Sequence, residues 1–487
     1  MEARLLRGLA LAAALTCLIG FADTIRRAPS IIENDHRLAP TFAVAHGYKL
    51  YYGPTEGPIL STIYGPVTAL AYAPALVAST PMGAVRLGTV ITLVLFLAPL
   101  LLFAGKSLGE GSDWQTYACA LGLAAALTYL SEALSASATL IHADAPALAA
   151  GALACWFSVW RIDRDRTRWA EAALAGVATA LAVMSKQNMI ALGPALACWW
   201  FAVSRKGALA YVAATGVALG AIWVSVLPFS SDLAAAWFNW FQIPTHQPYD
   251  KARFFPILAT LVRSLLLFGL LLATSLGNPE AGRRSSLREV IRKPVFLLLW
   301  VSCWLIPTSV LGRLKAGGNE NALGPAAYLL VLACMTVFSG YFRSRRESPS
   351  WRASTVALGL VLGAFVMMRL PEHLLSLRRR NGPTGMEIVY QYDRQNPGRV
   401  YFPQFPLAVL MAENRLYDFS WALSDRRAAG YPVSDASFLE HTPAAAHVMA
   451  LTPWVGFWEK DIYSRCRAGG DIPADAALPD FSLCDFR

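Results

Sequence analysis

Charged residues are scarce in this chain. Asp, Glu, Lys and Arg make up 15% of its 487 residues, against about 25% in an average soluble domain. Hydrophobic residues make up 55%, and the mean hydropathy is +0.42. So few charges cannot cover the water-exposed surface of a folded chain this long. The composition argues against a soluble enzyme or a disordered protein and indicates a polytopic membrane protein.

Sequence motifs of several function classes are absent too. There is no P-loop, no GxGxxG that opens a helix after a strand and no HExxH, so a nucleotide-driven pump and a Rossmann-type donor site have no support. The net charge is +10, from 42 basic and 32 acidic residues. Lys and Arg collect in the inner loops of membrane proteins, which explains this excess without nucleic-acid binding.

No two cysteines have the CxxC spacing typical of metal sites. Six of the eight lie in apolar runs, where Cys acts as a small hydrophobic residue. Cys466 and Cys484 lie in the polar C-terminal tail. If that tail faces an oxidising compartment, these two are expected to form a disulfide.

Eleven apolar segments are long enough to span a membrane, which takes about 20 mostly apolar residues. The first has Arg4 and Arg7 at its start, like a signal peptide, but it has no A-x-A site at its end and many spans follow, so we expect a retained anchor. A further segment, 64–79, is short and contains Pro66 and Pro74; it predicts an interfacial helix. The predicted spans are 5–22, 85–104, 114–137, 143–160, 169–184, 187–203, 208–229, 255–276, 295–311, 323–342 and 353–370.

Basic residues predict the orientation of these spans. With the N-terminus inside, the inner loops hold the basic clusters at 161–168, 283–293 and 343–352, and the outer loops hold half as many Lys and Arg. This asymmetry follows the positive-inside rule. Counting 64–79 as a crossing would move the arginines of 161–168 outside, which the rule disfavours.

The predicted fold is therefore an all-α polytopic membrane domain, residues 1–371, with a first outer loop at 23–84. The polar tail, 372–487, combines strand-like runs at 399–402 and 447–452 with helix-compatible runs. It predicts a small extracytoplasmic α/β domain.

Charged residues at the rim of a membrane need an explanation. The run from Glu33 to Arg37 holds two carboxylates, which suit either a catalytic base or the capping of a helix in a solvated loop. Asp144 precedes Pro146 and suits a helix start, which leaves His142 unexplained. Cations on the outer side suit a phosphate at the headgroup level, or contact with the lipid headgroups: Lys186, Arg253, Arg313 and Lys315.

The order of these features resembles the GT-C superfamily of integral-membrane glycosyltransferases. The branch that it resembles is the one similar to protein mannosyltransferases and aminoarabinose transferases, glycosyltransferase family 39-like. The likeness covers most of residues 1–370. It is carried by Glu33 and Asp35 after the first span, His46-Gly47-Tyr48-Lys49-Leu50-Tyr51, Tyr64-Gly65-Pro66, Arg86, His142-Ala143-Asp144-Ala145-Pro146, Lys186 and Lys315-Ala316-Gly317-Gly318-Asn319.

The resemblance implies transfer of a hexosyl or pentosyl group from a polyprenyl-phosphate carrier to a glycan, lipid or protein acceptor, with inversion. Asp35 matches the family's base; relatives often carry an adjacent acidic pair, so Glu33 stays an alternative. Asp144 would orient the acceptor or hold a divalent cation, and metal use differs among relatives. Expected donor-phosphate ligands are Lys186, Arg253, Arg313 and Lys315; expected positioning residues are His36, Tyr64, His142 and Asn319.

On this hypothesis, Asp35 and Asp144 converge in one outward cavity near Lys186. The expected location is the bacterial inner membrane, with the active site and the tail in the periplasm. A transporter or flippase of lipid-linked glycans would instead place charges within broken helices at mid-membrane, and a membrane scaffold would have no converging acids. The tail aromatics bind the acceptor glycan or form the tail's own core: Tyr401, Phe402, Phe405, Tyr417, Trp421 and Tyr431.

Overall fold

The computed structural model describes residues 2–60, 63–109, 112–159, 169–276, 287–339, 342, 352–379, 382–452, 460–466, 478 and 481–487. Helices dominate these residues, and one three-stranded sheet lies near the C-terminus. The arginines of 161–168 and 343–346, together with Arg283 and Arg284, lie outside the described residues. The predicted orientation depends in part on them.

The membrane part consists of seventeen helices in the described ranges, several of which are short connecting turns. Their bounds are α1 Glu2–Arg27, α2 Ile32–Ala45, α3 Pro66–Ala71, α4 Pro81–Leu108, α5 Trp114–Tyr129, α6 Glu132–Thr139, α7 Asp144–Val159, α8 Trp169–Ser185, α9 Leu192–Val203, α10 Arg205–Val226, α11 Leu233–Trp237, α12 Ile243–His246, α13 Phe254–Leu276, α14 Leu287–Ile291, α15 Pro294–Leu314, α16 Gly324–Phe338 and α17 Arg352–Arg378.

Seven helical segments in the described part of the chain are long and apolar enough to cross a membrane, and α7 and α8 are shorter apolar helices. α10 shows why a lipid environment is required: Leu209 and Val217 are each 73% exposed, and a water-facing helix would not display such residues along its length. The chain is therefore a multipass membrane protein. Length and composition alone support fewer spans than the eleven predicted.

The predicted span at 114–137 is broken. α5 and α6 are bent by 118° relative to each other, because Ser131 between them has an extended backbone with φ −105° and ψ 106°. The pair forms either one broken span or a re-entrant loop. The segment 64–79 also divides, into α3 and a 3-10 turn at Ala73–Val77, and it is too short to cross, as predicted.

The tail folds as an α/β unit, which confirms the predicted strand and helix runs. β1 pairs in parallel with β2, and β2 pairs antiparallel with β3. Cys466 and Cys484 form a disulfide with a Cα–Cα distance of 5.4 Å. The elements are α18 Gly385–Gln395, β1 Val400–Tyr401, α19 Pro406–Glu413, α20 Ser420–Ala428, α21 Asp435–Glu440, β2 Val448–Leu451, α22 Lys460–Tyr463 and β3 Ser482–Asp485.

The tail packs directly on the first outer loop. Leu38 and Phe42 of α2 belong to the same buried cluster as Met386, Tyr401 and Leu407 of the tail. One apolar core therefore joins two regions that are more than 340 residues apart in sequence. Most tail aromatics serve this core, and Trp421 also reaches the cavity described next.

Candidate functional site

A cavity of about 450 Å³ lies between the membrane helices and the tail. It is lined from the membrane side by the starts and ends of several helices and from the tail by Trp421 and Asp425 of α20. Of the expected catalytic, phosphate-binding and positioning residues, seven line it: Glu33, Tyr64, His142, Lys186, Arg253, Lys315 and Asn319.

A buried ion pair lies beside the cavity; Lys186 lines the cavity, whereas its partner Asp144, an expected site residue, does not. Asp144, in the first turn of α7, is 1% exposed, and its carboxylate accepts hydrogen bonds from the Lys186 ammonium and, at 2.7 Å, from Asn321 Nδ2. His142 Nδ1 lies 2.7 Å from Oδ2, the carboxylate oxygen that also accepts from Asn321. A buried charge is tolerated when it is paired and hydrogen-bonded in this way. Asp144 therefore holds three neighbouring side chains in place.

His142 links this pair to Tyr64. Its Nε2 lies 3.0 Å from the Tyr64 hydroxyl. Burial lowers the pKa of His142 to about 4, so the ring is neutral at physiological pH. A neutral ring with Nδ1–H donating to Asp144 leaves Nε2 to accept from Tyr64. Gly65, next to Tyr64, lets the chain pass close to the end of α8, because a Cβ there would lie 1.8 Å from the carbonyl oxygen of Met184.

Two cations at the cavity make no ion pair with any described residue. The Arg37 guanidinium lies 5.0 Å from the ring centre of Tyr64 and 5.2 Å from that of Trp421. Its Nη1 is buried and has no hydrogen-bond partner in the described part of the chain. Lys315 Nζ donates to the carbonyl of Pro244 at 2.7 Å, and burial lowers its pKa. The cavity therefore has positive charge available for an anion.

The loop that carries Lys315 is tightly braced. Backbone hydrogen bonds join Asp250 to Leu314 and Ala316 to Pro248, at 2.8 and 2.7 Å. The Arg313 guanidinium donates to Glu320 and to the Gly318 carbonyl and does not line the cavity. Arg313, an expected phosphate ligand, thus supports the loop. Arg253 lines the cavity but pairs with Asp250 at 2.9 Å.

Glu33 and Arg37 are one helical turn apart on α2, and residues at this spacing share a helix face. Both line the cavity. No described residue hydrogen-bonds to the Glu33 carboxylate or forms an ion pair with it. Arg37 is the main cavity residue that the sequence reasoning did not select, although its spacing from Glu33 was a usable signal. Gln247 and Asp425 also line the cavity and are joined by a 3.0 Å hydrogen bond. No motif or spacing in the sequence indicated these two residues.

Asp35 lies on a different face of α2 and does not line the cavity. Its carboxylate is fully buried and accepts the N–H groups of Leu407 and Ala408, at 2.8 and 3.2 Å. α19 begins at Pro406 and has no cap from its own Phe405, so Asp35 caps it from another part of the chain. Burial raises the pKa of Asp35 to about 8. The expected convergence of Asp35 with Asp144 is not observed.

His36 is also buried away from the cavity. Its Nε2 bonds to the Gln404 carbonyl at 2.6 Å, and its ring centre lies 4.5 Å from that of Trp421. Burial lowers the pKa of His36 to about 3, so it is neutral. His36 therefore helps to attach the tail to α2 beside the cavity, and it does not line the cavity.

The predicted acids do not fit a divalent cation. No group of three or more His, Cys, Asp or Glu side chains with metal-site geometry exists among the residues that the structure describes. The carboxylate of Asp144 is occupied by three side chains and that of Asp35 by two backbone N–H groups. We therefore assign no step to a metal.

No protein-family model and no curated protein matches this sequence. Among solved structures, the apo oligosaccharyltransferase of Archaeoglobus fulgidus is similar, with a TM-score of 0.45 at 12% identity, covering 91% of this chain and 69% of that chain. Its complex with Zn and sulfate has a TM-score of 0.44 at 13% identity, covering 91% and 67%. Its complex with an inhibitory peptide and a dolichol-phosphate has 0.42 at 13%, covering 91% and 69%. At these values the likeness assigns no function, and none of the three is a mannosyltransferase.

Proposed function

We propose that the chain is a membrane glycosyltransferase that moves a sugar from a polyprenyl-phosphate donor to an extracytoplasmic acceptor. The observation that carries this proposal is the lining of one cavity: a carboxylate without a described partner, Glu33, and two cations without a described acid, Arg37 and Lys315. A base and an anion site at the rim of a membrane domain are what this transfer needs. The resemblance of the motif order to GT-C enzymes supports the same reaction.

The reaction assigns a role to each group. Glu33 accepts the proton of the acceptor hydroxyl while its oxygen attacks the anomeric carbon. The bond from that carbon to the carrier's phosphate oxygen breaks, and the electron pair leaves on the phosphate. Arg37 and Lys315 stabilise that growing negative charge. A single displacement inverts the anomeric centre.

Asp35, the residue that matches the family's base, becomes a positioning residue in this proposal. It holds α19, and with it the tail, against the helix that carries Glu33. Lys186 is neutralised by Asp144, so its contribution is to fix His142 and Tyr64 at the cavity. Asp35 does not line the cavity, so its carboxyl group is not placed to accept the proton of an acceptor bound there.

We also propose that the tail faces the periplasm of a bacterial inner membrane. The Cys466–Cys484 disulfide supports this orientation, because disulfides persist in oxidising compartments and are rare in the cytosol. The cavity is lined by α20 of the tail, which supports a site on the same side of the membrane.

The test is the release of polyprenyl phosphate by purified protein in nanodiscs. It would be supplied with a panel of polyprenyl-phosphate sugars and a membrane acceptor extract. We expect Glu33→Gln to lower the rate by about 10²-fold or more, the usual contribution of a general base. Asp35→Asn is the comparison for the alternative base; it removes one acceptor of a backbone N–H group and should lower the rate much less than Glu33→Gln does.

Loss of activity in Asp35→Asn with full activity in Glu33→Gln would contradict the assignment of the base. If no donor turns over, the binding of farnesyl phosphate to the same protein tests whether it recognises a lipid phosphate. Lack of binding would contradict a lipid-phosphate enzyme, and a transporter of lipid-linked glycans as well, and would favour a scaffold.

A further inference from the structure

A second cavity, of about 530 Å³, lies beside the first. One wall is the elbow between α1 and α2, from Pro29 to Glu33, and the other is formed by the tail. Glu33 is the residue that lines both cavities. The base proposed above therefore stands between two separate spaces, each large enough for a small-molecule ligand by the usual range of about 300–1,000 Å³.

The two cavities differ in charge. The first contains Arg37, Lys186, Arg253 and Lys315. In the second, Glu33 is the one charged side chain among the described residues that line it. A phosphate or other anion would find no cation among the described residues of this cavity, and the Glu33 carboxylate would repel it. The second cavity suits an uncharged ligand.

Two aromatic rings of the tail line this uncharged space. The ring centres of Phe405 and Phe481 lie 5.8 Å apart, with the planes inclined at 56°. Gly385, at the start of α18, lets the backbone pack closely on this pair of rings, because a Cβ there would lie 3.0 Å from the Phe405 ring. Apolar faces with a few polar groups at the edge are typical of small-molecule sites, and the C–H face of a sugar ring can stack on such rings.

We propose that this second cavity is the acceptor subsite and that it takes an uncharged carbohydrate. The inference rests on the proposed function. In a single displacement the acceptor oxygen approaches the anomeric carbon opposite the leaving phosphate. The cations place that phosphate in the first cavity, so the acceptor reaches Glu33 from the second. The specificity for the acceptor then lies in the tail and the α1–α2 elbow.

The experiment fills the cavity from its two walls. Ile388→Trp on α18 and Ser30→Trp at the exposed end of the elbow each place an indole in the space. Gln391→Trp is the matched control, since it is exposed on the same helix and does not line the cavity. Purified proteins in nanodiscs would be titrated with the methyl glycosides of mannose, glucose and galactose, followed by saturation-transfer NMR, and separately with farnesyl phosphate.

We expect at least one neutral glycoside to bind to the wild type and to Gln391→Trp equally. Both filled variants should weaken that binding by at least tenfold and leave farnesyl phosphate binding unchanged. Unchanged glycoside binding in both filled variants would overturn the proposal. So would farnesyl phosphate binding without any glycoside binding, or mannose 6-phosphate binding as tightly as the neutral sugar at the same place. If the wild type fails to bind farnesyl phosphate, the proposed function itself is contradicted, which is a distinct outcome.

Discussion

Glu33 and Asp35 lie two residues apart on one helix and face different surroundings. Glu33 lines the cavity without a described partner, whereas the Asp35 carboxylate is buried against the N-terminus of α19. Successive helix positions are about 100° apart, so a step of two residues turns a side chain toward the other side. The same acidic run therefore contains a candidate base and a structural cap.

The cations of the cavity should bind a lipid phosphate. Arg37→Gln and Lys315→Gln are each expected to weaken farnesyl phosphate binding by about tenfold or more, because a hydrogen bond to a charged group contributes about 1.5–3 kcal/mol. Arg394→Gln, at an exposed position on α18, is the control and should bind as the wild type does. The measurement is a titration in nanodiscs at fixed salt. Equal affinity in all four proteins would show that the lipid phosphate does not bind in this cavity.

The pair between Asp144 and Lys186 should stabilise the protein only as a pair. Removing one partner from a buried ion pair costs about 3–5 kcal/mol, since the other charge stays buried. Lys186→Met and Asp144→Asn are each expected to lower the melting temperature strongly, and the double variant should recover much of the loss. Thermal unfolding of the four proteins in detergent measures this. Losses that simply add in the double variant would show that the two residues act independently.

Asp35 should make stability depend on pH. Burial raises its pKa to about 8 from an unfolded value of 3.8, so the folded state binds the proton more tightly. The stabilisation from protonated Asp35 is complete below pH 3.8 and is lost as the pH rises through about 8. Asp35→Asn removes this titration. The melting temperature of the wild type should therefore fall relative to the variant between pH 5 and pH 9.

The difference between the two proteins is the quantity to measure, because other buried acids also titrate. Burial raises the pKa of Asp418 to about 7 and that of Asp393 to about 9. Both residues are present in both proteins, so their contributions to the melting temperature cancel in the difference. A constant difference across this pH range would show that Asp35 keeps one protonation state.

The disulfide should stabilise the tail. Cys466 and Cys484 are 18 residues apart, and closing a loop of this size stabilises a fold by about 3 kcal/mol. Cys466→Ser, or reduction of the wild type, should make the tail more sensitive to protease. Cys198→Ser removes an exposed free cysteine and should change nothing. Protease resistance that survives reduction would show that the tail does not depend on the bond.

Most helix positions could be predicted from the sequence, because burial in lipid is decided by runs of apolar residues that are local in the chain. The tail strands and helices followed from local patterns in the same way. The bend between α5 and α6 did not, since a polar Ser131 within an apolar run does not specify a direction. The number of spans stayed dependent on this bend and on the short helices α7 and α8.

The composition and the apolar runs were sufficient to establish the membrane class, the polar tail and the types of residue that gather at its junction with the spans. The tertiary structure alone decided which carboxylate meets the cavity. The Asp35 carboxylate accepts the N–H groups of Leu407 and Ala408, which lie more than 370 residues further along the chain. Arg37 lies between the rings of Tyr64 and Trp421. Such contacts depend on how distant elements pack, and the local chemistry of a sequence does not encode the direction in which each side chain points.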